Sequence, residues 1–286
     1  MVRTVTAITA ITVLQSLHWA QAQGLDRLDA QLLVLHAVGR SENDRAWLLT
    51  HDADTLSPAQ WGILQASVAR RAAGEPLAYI RGYKEFFGLH LHVDARVLDP
   101  RPDTETLVEW ALDVVPASSP STQRVVDVGT GSGAIALALK HTRPQWDVTA
   151  VDVSADALAV ALANAQRLGL VVRGVQSSWL ESVEGLFDLI VSNPPYIAEE
   201  DTHLPALQHE PTLALTSGVD GLDAIRTLIQ QAPTHLRAGG WLLIEHGYDQ
   251  ALAVRDLLQT AGFGSVQSRH DLAGIARCSG GCWLAD

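Results

Sequence analysis

The first 80 residues show the apolar spacing of helices. Apolar residues recur every three to four positions over residues 25–38, which predicts an amphipathic helix. A second helix is predicted to begin at a Ser41 cap. A third is predicted at Ser57, because Ser57, Pro58 and Gln60 supply a capping hydroxyl, a proline at the first helical position and the reciprocal capping side chain. We therefore expect residues 1–80 to form a small helical domain.

Residues 1–24 combine one arginine, an apolar stretch and an Ala-Gln-Ala tripeptide, features that also occur in secretory signals. Gln15, His18 and Trp19 interrupt the apolar stretch, however, and the helical spacing continues into residues 25–38. We favour the first helix of a domain. The sequence has no run of 18 apolar residues, so we expect a cytoplasmic protein without a membrane-spanning helix.

The pattern changes between residues 81 and 123. Alternating aromatic and β-branched residues over 83–97 predict a short hairpin, and residues 104–114 return to helical spacing. A polar segment with two prolines, 116–123, then predicts a linker. Residues 81–123 are therefore expected to join the helical domain to a second domain.

Strands and helices alternate from residue 124 to the end. Short apolar runs predict strands at 124–128, 147–151, 171–175, 186–191 and 241–245, and helical stretches predict helices at 133–141, 155–168 and 222–231. This alternation is typical of an α/β fold with a doubly wound, mostly parallel sheet. Ligands of such sheets bind beyond the carboxyl ends of the strands. We expect residues 124–286 to form this domain.

Composition bears mainly on the choice of partners. The chain of 286 residues is 47% apolar, enough for a large core, and has a formal charge of -12. An acidic chain without a basic reading domain is not suited to grip nucleic acid, so no direct specific nucleic-acid binding is expected. Cys278 and Cys282 are interpreted as structural thiols, and no metal-ligand cluster is found, so no metal is predicted.

A glycine-rich segment follows the first predicted strand of the second domain. Residues 125–133 read Val-Val-Asp-Val-Gly-Thr-Gly-Ser-Gly, which predicts a loop that a nucleoside ligand approaches closely. The spacing also matches a dinucleotide site, but Asp127 at the mouth of the loop would repel a pyrophosphate and attract the positive charges of S-adenosylmethionine. Asp152 ends the next strand, where a carboxylate accepts from ribose hydroxyls. Trp179 either packs on adenine or belongs to the core. The candidate cofactor-binding residues are Asp127, Gly129, Thr130, Gly131, Ser132, Gly133, Asp152, Trp179 and Asn193.

The tetrapeptide Asn193-Pro194-Pro195-Tyr196 follows the fourth predicted strand of the second domain. An amide nitrogen is a poor nucleophile, so an enzyme that methylates it must hold both N–H bonds with two acceptors. The Asn193 side-chain oxygen and the Pro194 carbonyl can serve, while the prolines fix φ and remove competing donors. Tyr196 can stack on the planar amide. We predict catalytic roles for Asn193 and Pro194 and substrate contacts for all four residues.

These residues resemble the peptide chain release factor glutamine methyltransferases. The similarity extends over nearly the whole chain, through residues 28–33, 75–80, 84–88 and 271–274, and is sharpest at 100–105, Pro-Arg-Pro-Asp-Thr-Glu. It implies a seven-stranded class I methyltransferase sheet, S-adenosylmethionine as methyl donor, and an N-terminal domain that docks class 1 peptide chain release factors, whose Gly-Gly-Gln glutamine is the acceptor. It also implies that Gly129–Gly133, Asp152 and Trp179 bind the donor. Ser178 stands where relatives often have an acidic residue.

Three other functions remain open on the sequence. An adenine-N6 methyltransferase of DNA or RNA would share the tetrapeptide but would need a basic reading domain. A ribosomal protein glutamine methyltransferase is disfavoured by residues 100–105. A nucleotide-binding adaptor without catalysis would leave the tetrapeptide without a purpose.

Overall fold

The computed structural model describes residues 11–115 and 122–284. The chain divides into two compact units, Met1–Gly82 and Tyr83–Asp286. Most of the predicted linker, at 116–121, lies outside the described residues.

Helices build the first unit over its described residues. They are α1 (Val13–Ala22), α2 (Arg27–Ala37), α3 (Arg45–Thr50), α4 (Pro58–Ala72) and α5 (Leu77–Arg81). The helix predicted at 25–38 is confirmed as α2, whose Leu33 and Val34 are fully buried against Leu64 and Val68 of α4. Packing of these apolar stripes forms the core of the unit.

Helix starts in the first unit test two capping predictions. The Ser57 prediction is confirmed, because its hydroxyl accepts from Gln60 N (3.3 Å) while the Gln60 side chain accepts from Ser57 N (2.9 Å). The Ser41 prediction is wrong. Its hydroxyl accepts from Asn43 N within a turn closed by Asp44 N to Ser41 O, and the helix begins only at Arg45.

The second unit opens with the predicted hairpin and continues as alternating strands and helices. The antiparallel hairpin is confirmed as β1 and β2, with Tyr83 opposite His92. The further strands and helices follow the predicted order closely. The elements are β1 (Tyr83–Phe86), β2 (Leu89–His92), α6 (Glu105–Val114), β3 (Arg124–Val128), α7 (Ala134–Thr142), β4 (Asp147–Asp152), α8 (Ala155–Leu168), β5 (Arg173–Gln176), β6 (Phe187–Ser192), α9 (Asp223–Gln231), β7 (Leu236–Glu245), α10 (Ala251–Thr260), β8 (Phe263–His270) and β9 (Ala276–Trp283).

Seven strands form the main sheet in the order β5-β4-β3-β6-β7-β9-β8. The first five are parallel, whereas β9 is antiparallel to both β7 and β8. The predicted doubly wound, mostly parallel seven-stranded sheet is therefore confirmed. Its central strands carry apolar side chains on both faces because helices cover both, as Val126, Ile190 and Leu242 show by their complete burial.

The two edges of this sheet are irregular. At one edge, β5 has only four residues and begins at Arg173 rather than at the predicted 171, since Val171 is 81% exposed. At the other edge, the pairing of β8 with β9 shifts between Gly264 and Gln267, where Ser265 has a φ of +51°. Regular pairing of both edge strands is thus short or interrupted.

Candidate active site

A cavity of 430 Å³ lies at the carboxyl ends of the parallel strands. Strand order reverses between β3 and β6, and at such a reversal the loops that follow the two strands separate and leave a crevice. The volume is within the range of cofactor pockets, about 300–1,000 Å³. Residues after β3, β4 and β6 line it, together with segments 96–104 and 211–217.

The glycine loop forms one wall of this cavity. Gly129, Gly131 and Gly133 have φ values of +75°, +56° and +85°, conformations that residues with a Cβ rarely adopt. Thr130 and Ser132 also line the cavity, whereas Gly133 does not. A Cβ on Gly133 would lie 3.2 Å from the Cβ of Ala161, so this glycine permits close packing of α7 on α8.

Asn164 on α8 fixes the glycine loop from behind. Its amide nitrogen donates to Ser132 O and His92 O, both at 2.9 Å, and its oxygen accepts from His92 N at 2.7 Å. The side chain is fully buried. One asparagine thus connects β2, α8 and the loop.

Asp127 does not lie at the mouth of the loop, and that prediction is wrong. It is fully buried beneath the loop, where Oδ2 accepts from Thr130 Oγ1 (2.7 Å) and Ala136 N (3.1 Å). Burial raises the pKa of Asp127 to about 7. Its Oδ1 accepts no hydrogen bond from the described residues. The carboxyl therefore supports the loop and the first turn of α7 instead of forming the cavity wall.

Asp152 does line the cavity, at the end of β4. Its oxygens accept from Gly131 N and Ser154 N, each at 2.9 Å, and burial raises the pKa of the carboxyl. Each oxygen has a second lone pair that can accept from a ligand hydroxyl. The two backbone bonds hold the carboxyl in a fixed direction.

Trp179 meets both predictions made for it. It lines the cavity and also packs against the buried core of the sheet. Its φ is +52°, which is a genuine outlier for a bulky residue and is typical of strained positions at ligand sites. The neighbouring Ser178 is exposed and lines the same cavity.

The tetrapeptide lies where β6 ends. Asn193 lines the main cavity and also a second cavity of 370 Å³, Pro195 lines only the first, and Tyr196 lines only the second. Pro194 is buried and lines neither. Asn193 is therefore part of a wall that the two cavities share.

A hydrogen-bonded network lies behind this wall, and the sequence patterns did not reveal it. Asn193 Nδ2 donates to Thr104 Oγ1 at 3.2 Å, and Thr104 is hydrogen-bonded to the carboxylate of Glu245. Tyr196 Oη donates to Glu245 Oε1 at 3.4 Å. Burial raises the pKa of Glu245 to about 7, and burial together with the Glu245 charge raises the pKa of the Tyr196 hydroxyl above its usual range. The only earlier indication was that Thr104 belongs to the 100–105 segment.

Arg101 of the same segment is held by two carboxylates. It pairs with Glu210 at 2.5 Å and with Asp99 at 3.7 Å, and Glu210 also accepts from Asp99 N at 3.2 Å. Glu210 is almost completely buried. Residues 99–101 are thereby fixed to the loop that carries Pro211 and Leu213 along the main cavity.

The described residues contain no group of three or more His, Cys, Asp or Glu side chains that could hold a metal ion. Cys278 is buried in β9, and burial raises its thiol pKa. Within the described ranges, the structure has no helix that is both long and apolar enough to cross a membrane.

The fold occurs in solved methyltransferase structures. A methyltransferase from Pyrococcus furiosus superposes with a TM-score of 0.54 at 21% identity, over 77% of this chain and 98% of that chain. The 16S rRNA N2 G1207 methyltransferase of T. thermophilus, in complex with AdoMet and guanosine, gives 0.53 at 18% identity, over 70% and 49%. The Methyltransferase small domain family model matches residues 106–210. Fold and cavity define a class I methyltransferase with S-adenosylmethionine as its methyl donor.

Relatives with much higher identity define the family. The release factor glutamine methyltransferase of Bordetella pertussis is 51% identical over 262 residues, which are 90% of this chain and 95% of that protein. That of Xylella fastidiosa is 48% identical over 272 residues, 91% and 96% of the two chains. The PrmC N-terminal domain model matches residues 16–82. This chain belongs to the release factor glutamine methyltransferase family, as its sequence motifs predicted.

Proposed function

We propose that this protein transfers a methyl group from S-adenosylmethionine to the side-chain amide nitrogen of the glutamine in the Gly-Gly-Gln motif of class 1 peptide chain release factors, and so modulates translation termination. The observation that carries the proposal is the position of Asn193 in the wall shared by two cavities. One cavity is suited to the donor and the other to the glutamine side chain. Family membership supports the same assignment.

The residues assigned to the donor share one cavity, apart from two that support its glycine loop. The backbone of the loop passes close to the ligand, Asp152 accepts from the ribose hydroxyls, and Trp179 packs on the adenine. When bound, S-adenosylmethionine supplies a methyl carbon activated by a sulfonium, and the electrons of the broken C–S bond stay on sulfur. The assigned residues are Asp127, Gly129, Thr130, Gly131, Ser132, Gly133, Asp152, Trp179 and Asn193.

Asn193 and Pro194 hold the acceptor nitrogen. Asn193 Oδ1 and the Pro194 carbonyl accept from the two N–H groups of the glutamine amide, and among the described residues neither oxygen receives a hydrogen bond. Tyr196 and Pro195 border the planar amide. The nitrogen lone pair forms the new N–C bond, and one N–H proton then leaves to solvent through the acceptor that held it. Holding both reactants in line lowers the barrier by about 7 kcal/mol or more.

The first unit is assigned to substrate docking. We place a release-factor-docking domain at 1–80, a hairpin and linker at 81–123 and the methyltransferase domain at 124–286. The substrate acts in translation, so the protein is assigned to the cytoplasm.

The test is methyl transfer from labelled S-adenosylmethionine to a purified bacterial class 1 release factor. We expect labelling of the intact factor and none of a factor whose Gly-Gly-Gln glutamine is alanine. Equal labelling of both factors would contradict the glutamine assignment. Transfer to an adenine of DNA or RNA, or to a ribosomal protein glutamine, with none to the release factor, would replace the proposed substrate.

The Asn193→Ala variant tests the acceptor role. We expect single-turnover transfer to collapse while affinity for S-adenosylmethionine, measured by calorimetry, stays measurable. Asn43→Ala is the matched control, since it makes the same change at an exposed position in the first unit. Full turnover by Asn193→Ala would remove Asn193 from the mechanism.

A further inference from the structure

The Asn193 amide has two orientations, and only one of them suits the proposed reaction. An asparagine side chain carries an acceptor oxygen and a donor NH₂ group on one planar amide, and a half-turn exchanges them. With Oδ1 toward the substrate, the side chain accepts from the glutamine N–H. With Nδ2 in that place, donor would face donor. Some feature of the site must therefore select the orientation.

Glu245 and Thr104 together impose a direction on the hydrogen bonds behind Asn193. An ionised carboxylate only accepts, so the Thr104 hydroxyl must donate to Glu245. The hydroxyl hydrogen is then committed, and Thr104 Oγ1 offers Asn193 only a lone pair. Nδ2 lies 3.2 Å from Oγ1 as the donor that this lone pair requires. Oδ1 is left for the substrate.

We propose that Thr104 and Glu245 are positioning residues that select the reactive orientation of the Asn193 amide. The inference rests on the proposed function and assigns a role to the 100–105 segment beyond joining two domains. Neither residue touches the methyl group or its acceptor. Each acts through Asn193, and Glu245 also orients the Tyr196 ring through its hydroxyl.

The fold brings the members of this network together at the ends of neighbouring strands. Ser192 pairs with Ile244 in the parallel β6–β7 ladder, so Asn193 and Glu245 follow at the same level. Thr104 is delivered by the 3₁₀ turn Pro102–Thr104. The side chain of Thr104 is 3% exposed and that of Glu245 is 1% exposed, so water does not compete for these bonds.

Neighbours on both sides of Thr104 hold the 3₁₀ turn in place. Asp103 pairs with Arg277 at 3.1 Å, and Arg277 also pairs with Asp271 at 3.0 Å. Glu105 accepts from Phe87 N at 2.9 Å. Because the turn is fixed by three separate elements, a change confined to the Thr104 hydroxyl should leave the backbone where it is.

The principal test compares Thr104→Val with Thr104→Ser. Valine has nearly the shape of threonine but no hydroxyl, whereas serine keeps the hydroxyl. We expect Thr104→Val to lower the single-turnover rate on the release factor by at least about 10-fold, with KM for the factor and Kd for S-adenosylmethionine within about 2-fold of wild type. Thr104→Ser should recover the rate to within about 3-fold. The matched control is Thr142→Val, which removes a hydroxyl that bonds only to Ala138 O within α7.

Three outcomes overturn the proposal. One is a Thr104→Val rate within about 3-fold of wild type. A second is a loss in Thr104→Val that serine does not recover. The third is a fall in rate that only follows a fall in donor affinity. Should Thr104→Val unfold, Glu245→Gln decides instead, because glutamine can both donate to and accept from Thr104 and so no longer imposes a direction. An unchanged rate in that variant refutes the role.

The proposed function and this inference fail in distinguishable ways. If wild type methylates some other amide and not the release factor, the substrate assignment is wrong, and the rates of the Thr104 variants on that other substrate still decide the positioning role. If wild type methylates the Gly-Gly-Gln glutamine and Thr104→Val does so equally fast, only the positioning role is wrong.

Discussion

Replacement of Glu245 by glutamine should change how the stability of the protein depends on pH. Burial raises the pKa of this carboxyl from 4.5 to about 7, and the Asp103 charge adds to the rise. Between these two values the folded protein binds a proton that the unfolded chain does not. Wild type therefore loses stability as the pH rises through 7, whereas a glutamine at this position has no proton to lose.

The size of the effect follows from the two pKa values. A carboxyl with a pKa of 7 when folded and 4.5 when unfolded lowers the free energy of unfolding by about 2.5 kcal/mol between pH 5 and pH 8. Glutamine adds a constant offset, because its NH₂ group replaces the Oε2 atom that has no hydrogen-bond partner among the described residues. Only the pH dependence, not the offset, carries the prediction.

The measurement is urea unfolding of wild type and Glu245→Gln at pH 5 and pH 8. The difference in unfolding free energy between the two proteins should shift by about 2.5 kcal/mol in favour of the variant at pH 8. Asp127 also has a raised pKa, about 7, but it is present in both proteins and cancels. Parallel pH dependence of the two proteins would refute the reasoning.

Four further predictions concern the support of the site and the helices. Asn164→Ala leaves backbone groups of β2 and the glycine loop unpaired, and should lower the unfolding free energy by about 2–4 kcal/mol in urea. Ser57→Ala removes a capping box and should cost about 1 kcal/mol in the same assay. Gly221→Ala would put a Cβ 2.2 Å from Tyr196 O, so we expect a single-turnover rate at least about 10-fold lower with donor affinity kept; an unchanged rate would show that the Tyr196 backbone can yield. Asp152→Asn turns an acceptor pair into one acceptor and one donor, and calorimetry should show S-adenosylmethionine binding at least about 10-fold weaker.

The sequence predicts best those features that depend on local patterns. The capping box at Ser57 and helix α8 follow from spacing alone, because both depend on residues within one or a few turns. The glycine loop and the tetrapeptide at Asn193 are likewise short segments that keep their meaning wherever the rest of the chain lies. Their meeting at one edge of the sheet follows from parallel strand topology.

The features that the sequence missed depend on contacts between distant residues. Thr104 and Glu245 are 141 positions apart, and no spacing rule relates them. The position of Asp127 depends on which side of the loop its side chain occupies, which the alternation of a strand buried on both faces does not reveal.

Strand β9 was also not predicted individually. Its Gly280 and Gly281 have low strand propensity, yet a Cβ on Gly280 would lie 2.4 Å from Leu242 O. Close approach of the neighbouring strand therefore requires glycine at that position, against the local preference of the sequence.

The irregular edges of the seven-stranded sheet bear on how the protein behaves at high concentration. A long, flat edge strand offers unpaired N–H and C=O groups to another molecule and promotes aggregation. Here β5 is too short to present many such groups, and the register shifts around Ser265 twist β8 out of a regular ladder. A crowded cell therefore finds few places on this sheet where a foreign strand could add itself.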